Sequence, residues 1–264
     1  MARPGRNVQE EKPMVTTITG TIRTITSASP FRLAPAALLA AAALLAGAAG
    51  PAGAATAPAG AATATVPLGT AAKFAVLAAS TVTNTGPTMI TGDLGLSPGT
   101  SVTGFPPGQV NGTVYTADSV ALKAQADLTT AYNDAAASPT TAIIPVELGG
   151  TTETPGTYAS AAGTFGITGT LTLNAQGNPN AVFIFKAAST LITASASNVK
   201  LINGAKAANV FWQVGSSATL GTYSTIRGTI MALASITVTT GVTVHGRTLA
   251  RTAAVTLDTD TITK

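Results

Sequence analysis

Over residues 189–264 the chain alternates threonine with aliphatic residues, and the alternation recurs. Thr190-Leu191-Ile192-Thr193, Thr219-Leu220-Gly221-Thr222, Thr237-Val238-Thr239-Thr240 and Thr256-Leu257-Asp258-Thr259 each read Thr, aliphatic, variable, Thr. Their last threonines lie 29, 18 and 19 positions apart. A second set, Val210-Phe211-Trp212, Thr229-Ile230-Met231 and Arg247-Thr248-Leu249-Ala250, sits a little ahead of the following threonine segments. A repeat of roughly 18 to 30 residues, rich in β-branched side chains, predicts a β-solenoid. One coil cannot bury its apolar side alone. Stacked coils turn the aliphatic positions inward as one core and leave the threonines outward in ladders.

The pattern extends toward the N-terminus. Phe74-Ala75-Val76-Leu77-Ala78 reads as a buried strand, and residues 81–88 resemble the rung at 237–243 with one residue inserted. Strands are expected at 89–96, 100–105, 143–148, 166–173 and 181–185, separated by turns rich in Gly, Pro and Asn. One stretch has a different period. Between Thr116 and Ala137, the residues Val120, Ala124, Leu128, Ala131, Tyr132 and Ala135 form a single apolar stripe at helical spacing. This predicts a helix over about 117–137, capped by Thr116 and ended by Ser138-Pro139, lying along one face of the solenoid.

The first part of the chain has another character. Arg23 and Arg32 precede a short apolar run at 38–49, and Ala52-Gly53-Ala54 and Ala55-Thr56-Ala57 fit a small-residue cleavage pattern. Residues 1–54 therefore read as signal peptide and leader, with Met1 or Met14 as the start, and 55–65 as a flexible lead-in. Residues 66–264 form the solenoid domain. The leader also distorts the charge. It holds five of the 14 basic and two of the 10 acidic residues, so nine and eight remain and the net charge falls to about +1. The high overall basicity is thus no argument for nucleic acid as a partner. There is no cysteine, so a secreted chain must be stabilised by packing and backbone pairing without disulfides.

Catalytic and metal-binding signals are weak. The single histidine, His245, stands alone between Val244 and Gly246, and no Cys, His or carboxylate cluster has ligand spacing. Asp258 and Asp260 share a strand face, at a rung where exposed charge is ordinary. No nucleophile elbow or phosphate-binding loop lies between a strand and a helix. The expectation is a protein with no catalytic residue, metal, cofactor or small-molecule substrate. The threonine ladder is the distinctive feature. One column is Thr193, Thr222, Thr240 and Thr259, and three positions on lie Ala196, Thr225, Thr243 and Ile262. Outward threonines are common on strands; this surface is unusual in also avoiding the Lys and Glu that keep exposed sheets soluble.

Several stretches together resemble the secreted microbial ice-binding proteins of the β-solenoid type. They are Phe74-Ala75-Val76-Leu77-Ala78, Thr91-Gly92-Asp93-Leu94-Gly95-Leu96-Ser97-Pro98-Gly99, Gly104-Phe105-Pro106-Pro107-Gly108, Gly177-Asn178-Pro179-Asn180-Ala181-Val182-Phe183-Ile184-Phe185, Val210-Phe211-Trp212-Gln213-Val214-Gly215-Ser216-Ser217-Ala218 and Leu249-Ala250-Arg251. The resemblance implies a mainly β fold, an irregular right-handed β-solenoid of triangular cross-section with one long α-helix packed alongside. It also implies that the N-terminal coil stacks on the C-terminal one. The implied partner is the surface of an ice crystal, met by a secreted or cell-surface monomer through the motif Thr, Ala or Gly, any residue, Thr or Asn. Thr240-Gly241-Val242-Thr243 and Thr85-Gly86-Pro87-Thr88 fit that motif; Tyr223 and Asp260 depart from it. The candidate contact residues are Thr85, Thr88, Thr193, Thr222, Ser224, Thr225, Thr240, Thr243 and Thr259, with Thr237 and Thr256 in a neighbouring column assigned to a different face. The competing reading is an adhesive or structural surface module; a carbohydrate-active β-helix enzyme ranks third.

Overall fold

Each coil runs through three straight segments because the alternation of inward and outward side chains is broken at the corners. On either side of the third face the breaks fall on residues with left-handed backbone, such as Gly169 (φ 84°) between Phe165–Ile167 and Thr170–Asn174, whereas the turns at 79–80, 215–217, 233–235 and 251–254 have none. A computed structural model describes residues 63–264, so the proposed signal peptide and most of the lead-in lie outside the described residues.

The three segments of successive coils stack in parallel into three faces. The first face contains Gly156–Ala159, Phe183–Ala187, Val210–Val214, the later halves of Thr225–Ala232 and Thr243–Ala250, then Phe74–Ala78, Asp93–Leu96 and Val114–Thr116. The second is a separate seven-stranded sheet of Phe165–Ile167, Leu191–Thr193, Ala218–Leu220, Ile236–Val238, Val255–Asp258, Thr81–Thr85 and Ser101–Thr103, in that order. The third holds Thr170–Asn174, Asn198–Ile202, the early halves of the two long strands, Thr261–Thr263, Met89–Thr91 and Gln109–Asn111. The long strands turn from the third face to the first at Gly228 and Gly246. A Cβ on Gly246 would lie 1.8 Å from the Gly228 carbonyl oxygen, so only glycine lets these corners stack.

Rung order departs from chain order, as the resemblance implied. Phe74–Ala78 pairs with both Asp93–Leu96 and the Thr243–Ala250 strand, with Val76 opposite Thr248. Thr81–Thr85 pairs with Val255–Asp258, and Met89–Thr91 with Thr261–Thr263. The N-terminal coil is therefore seated on the C-terminal one.

Inside the prism, Tyr158, Phe185 and Trp212 occupy one inward column on consecutive rungs. Phe185 and Trp212 stack at 4.4 Å between ring centroids. The column continues through Ile230, Thr248, Val76 and Leu94, all buried, with the Thr248 hydroxyl the one polar side-chain group among these four.

The helix spans Ser119–Ala137 and lies on the first face. Its cap is Asp118, whose carboxylate accepts from the Ala121 N–H at 2.8 Å; Thr116 instead ends a strand. Asp and Thr both serve as caps, and the pairing of Val114–Thr116 with Asp93–Leu96 moves the start two residues on. Val120 is 38% exposed and does not join the buried stripe, which is Ala121, Ala124, Gln125, Leu128, Ala131, Tyr132 and Ala135. These side chains pack with Phe74, Leu77, Ile184, Phe211, Met231 and Leu249 as a second core outside the prism. Polar ties fix its register. Gln125 donates to the Ala250 carbonyl, Tyr132 to that of Val214, and Thr70 binds Asp127 through both its N–H and its hydroxyl.

Two other sequence expectations change. The continuous strand over 166–173 is two strands on different faces, because Gly169 turns the chain while the apolar alternation runs on. The strand expected at 143–148 shrinks to the exposed pair Ala142–Ile143, since it sits at the end of the stack with a neighbour on one side only.

Candidate functional site

The seven-stranded face follows directly from the period of two. Leu191, Ala218, Ile236, Val255 and Val82 point inward and are buried. The next residue on each rung then points out. Cα register places Gly166, Ile192, Thr219, Thr237, Thr256, Thr83 and Thr103 in one outward column, five threonines on five consecutive rungs. Thr83, Thr103, Thr219 and Thr256 are exposed and Thr237 is half-buried. Two residues earlier on each rung stand Ser217, Ser235, Ala254, Thr81 and Ser101; the Ser217 and Ser235 hydroxyls lie 3.1 Å apart. The rungs repeat at about 4.7–4.8 Å and the columns at about 6.6 Å. The surface is a flat grid of short hydroxylated side chains, with Ile192 apolar and 54% exposed at one end.

The nine residues singled out from the sequence cluster at the corner between this face and the third one. Thr85 is exposed and Thr222 and Thr240 are half-buried, all at the edge of the seven-stranded face. Thr222 shares a 3.3 Å hydrogen bond with Thr239, and Thr240 donates to Asp258 Oδ2 at 2.5 Å. Thr225 and Thr243, half-buried and paired with each other, begin the third face.

Three of the nine present nothing to solvent. Thr193 is 3% exposed because it lies opposite Leu220 in an inward column, and its hydroxyl accepts the Gly221 N–H while donating to Ser224. Ser224 and Thr88 are fully buried on the inner side of the corner, where Thr88 Oγ1 accepts the Asp260 N–H. The sequence alignment matched Thr193 with Thr222. The coil between them carries extra residues, and Thr193 belongs two positions earlier on the rung.

Thr259 is also displaced. It takes the left-handed corner position (φ 59°) stacked with Gly86, Gly241, Tyr223 and Ala196, because the coil through Val255–Asp258 is one residue shorter at the corner than its neighbours. Ile262, placed in a surface column by the spacing, is buried. Tyr223 is 68% exposed, and its ring lies over Gly241, where a Cβ would meet it at 2.5 Å.

Thr237 and Thr256 fall on the seven-stranded face itself. The signal for them was present in the sequence. In each Thr-aliphatic segment the residue next to an inward aliphatic must point out, so the first threonine of the unit is more firmly outward than the last, which reaches the corner.

Asp260 puts no charge on the surface. It is 1% exposed, and its two oxygens accept the Val242 and Asp258 N–H groups at 2.9 and 2.8 Å. Desolvation outweighs these donors, and with repulsion from Asp258 it pushes the carboxyl up to about 7. A folded value above the unfolded one means that the folded state holds the proton more tightly. The stabilisation is complete below about pH 4 and is lost as pH rises through about 7. His245 is held below its ordinary value by desolvation and Arg227, so the unfolded state still releases its proton just above pH 6.5 and its contribution rises with pH there, opposite in sign to that of Asp260. The stability of the parent relative to Asp260→Asn, in which the His245 contribution is common, should therefore fall by about 1 kcal/mol between pH 6.5 and 8.5 in thermal unfolding. Asp260→Asn should be less stable, since its amide faces one of two N–H donors, and should lack the Asp260 loss over that range. A difference between parent and variant that stays constant across the window would show Asp260 already ionised at its start.

Comparison with known proteins places these features. A family model described as ice-binding-like matches residues 76–263. An ice-binding protein of Nostoc sp. (strain HG1) is 54% identical over 197 residues, covering 74% of this chain and 72% of that protein. The crystal structure of an ice-binding protein from the Antarctic ascomycete Antarctomyces psychrotrophicus has a TM-score of 0.74 and 44% identity, covering 76% of this chain and 98% of that one. An ice-binding protein from an Antarctic biological consortium gives 0.75 and 49%, covering 77% and 92%.

Proposed function

Because the chain belongs to the ice-binding-like family, we propose that it adsorbs to ice crystals through its seven-stranded face. The observation that carries this reading is the column Thr219, Thr237, Thr256, Thr83 and Thr103, in register on five rungs with no long or charged side chain among them. Threonine has few χ1 choices, so the grid is rigid before it meets ice and little entropy remains to be lost. Methyl groups present apolar area, and hydroxyls hold first-layer water at lattice-like intervals. Neighbouring serines extend the same chemistry. Thr85, Thr222 and Thr240 continue it to the corner, where Asp258 is engaged by the Thr240 and Thr259 hydroxyls. Adsorption of this kind requires no catalytic group, cofactor or small-molecule substrate, and one copy of the chain suffices.

The direct test is crystal shaping and recrystallisation inhibition by the purified protein. Faceted crystals and arrested grain growth are expected. A protein that leaves both unchanged would hand this surface to the adhesive-module reading.

The reading also places the protein outside the cell, released by its leader. Cleavage is expected at or near Ala54, and N-terminal sequencing of the exported product measures it. A product still beginning at Met1 or Met14 in the membrane fraction would contradict export by cleavage. Among the described residues no helix is long and apolar enough to cross a membrane.

A further inference from the structure

The near-neutral charge of the domain conceals a segregation. Lys200, Arg227 and His245 follow one another on the third face. Asn198 pairs with Thr225, which sets Lys200 beside Arg227 two residues on, and Arg227 pairs with His245. Lys206 precedes the short turn Ala207–Asn209, which packs against the two long strands. That turn and the strands enclose a groove of about 300 Å³ lined by Ala207, Ala208, His245, Arg247 and Lys264, among others. Lys200, Lys206, His245 and Lys264 are exposed.

None of the four lysines and arginines of this face or its groove's Arg247 has a salt-bridge partner among the described residues, where the one ion pair is Lys123 with Asp127 on the helix. No acidic side chain occupies an outward position on the third-face strands from Thr170–Asn174 to Gln109–Asn111. The nearest carboxylates are Glu153, half-buried on the strand Thr152–Glu153 that ends this face beside Thr170–Asn174, and Asp93, which accepts the Thr113 N–H at the corner with the first face. Asp118, Asp127 and Asp134 are on or capping the helix, and Asp260 is buried. Two of the cations are preset. Arg227 donates to Asn198 Oδ1 at 3.0 Å, and Arg247 grips the Ala72 carbonyl through Nη2 and Nε at 3.0 and 3.2 Å.

We infer that the third face is a second binding surface, for a linear acidic polysaccharide laid across the rungs. Lys200 and Arg227, cations on consecutive rungs about 4.7–4.8 Å apart, meet the regularly repeated carboxylates of a polyuronate, and the neutral His245 on the next rung offers a hydrogen-bonding ring nitrogen. The positions around them, Thr172, Asn111, Thr91 and Thr263, supply hydroxyls and amides for sugar hydroxyls. Other polyanions fit less well. Bases need aromatic stacking platforms, and no Phe, Tyr or Trp stands outward on these strands, His245 being the one ring there. Bilayer docking needs an apolar face to insert, whereas Met89 is the one large apolar side chain here that is strongly exposed. The surface is a different side of the prism from the threonine grid, so both can be engaged at once.

The test is binding of the protein to immobilised polygalacturonate at low and moderate salt, with dextran, anionic lipid vesicles and duplex DNA as parallel arms. Retention on polygalacturonate that weakens with salt and is absent on dextran is expected. Lys200→Gln with Lys206→Gln and Lys264→Gln should reduce affinity at least tenfold while ice shaping is unchanged. None of these three side chains makes a side-chain hydrogen bond in the described structure, and an unaltered unfolding midpoint checks the fold. Lys73→Gln with Lys123→Gln, on the helix side, should change affinity less than twofold. Equal losses in the two variants, binding by vesicles or DNA in preference to polygalacturonate, or no retention by the parent would each overturn the assignment.

Discussion

Thr237→Tyr should abolish ice-crystal shaping while leaving the unfolding midpoint within a degree or two of the parent. Thr237 stands at the middle of the outward column, between Thr219 and Thr256 on neighbouring rungs. A tyrosine ring there rises above side chains only a few atoms long. It would hold a crystal surface away from at least three rungs, and water could no longer bridge them in one layer. The stability cost is small because the site points outward and aromatic residues are good strand formers. The same substitution at Thr172, outward on the third face, is the matched control and should leave shaping intact. Retention of full activity by the Thr237 variant would move the contact surface to the corner occupied by Thr222, Thr240 and Thr243.

Leu128→Asp should destabilise the fold by several kcal/mol, and its measure is the loss in thermal or urea unfolding. Leu128 is fully buried between the helix and the first face, in the cluster that includes Phe74, Leu77, Phe211 and Met231. The substitution removes a leucine burial worth about 1.5–3 kcal/mol and strands a carboxylate with no cation assigned to it. The helix screens Ile184, Phe211, Met231 and Leu249 from water, so its detachment would also expose an apolar strip along the prism. An unfolding curve matching the parent would mean that the helix contributes little to the folded state. These two substitutions separate the roles of the faces, since one changes activity without stability and the other acts on stability first.

The straight segments were legible in the sequence, and the corners were not. Leu220, Val238 and Leu257 repeat with threonine before them, and that local alternation correctly assigns inside and outside on three rungs. The helix was readable for the same reason, from Ala124 to Ala135 at a period that no strand shares. Register across a corner is a different matter. A coil gains or loses a residue there without disturbing the alternation on either side. Thr193 and Thr259 look equivalent to Thr222 and Thr240, yet one points into the core and the other occupies a left-handed turn. Asp260 illustrates a second limit. A carboxylate in a threonine-rich rung reads as a surface charge until the two backbone N–H groups that receive it are known.

The seating of the first coil on the last has a consequence for how the protein comes into being. The rung at Thr256 fills the slot between the rungs at Thr237 and Thr83. During synthesis the coils at 74–96 and 101–116 emerge early and find no underside until some 140 further residues have been made. Their closing contacts join residues more than 170 positions apart, as between Val76 and Thr248. Loop closure over such separations makes assembly slow and places it late. A chain cut short before Val255 would carry the threonines of both ends with nothing to join them. The grid is thus completed only by the coil through Val255–Asp258, and nascent protein short of that point has no continuous surface to offer a crystal.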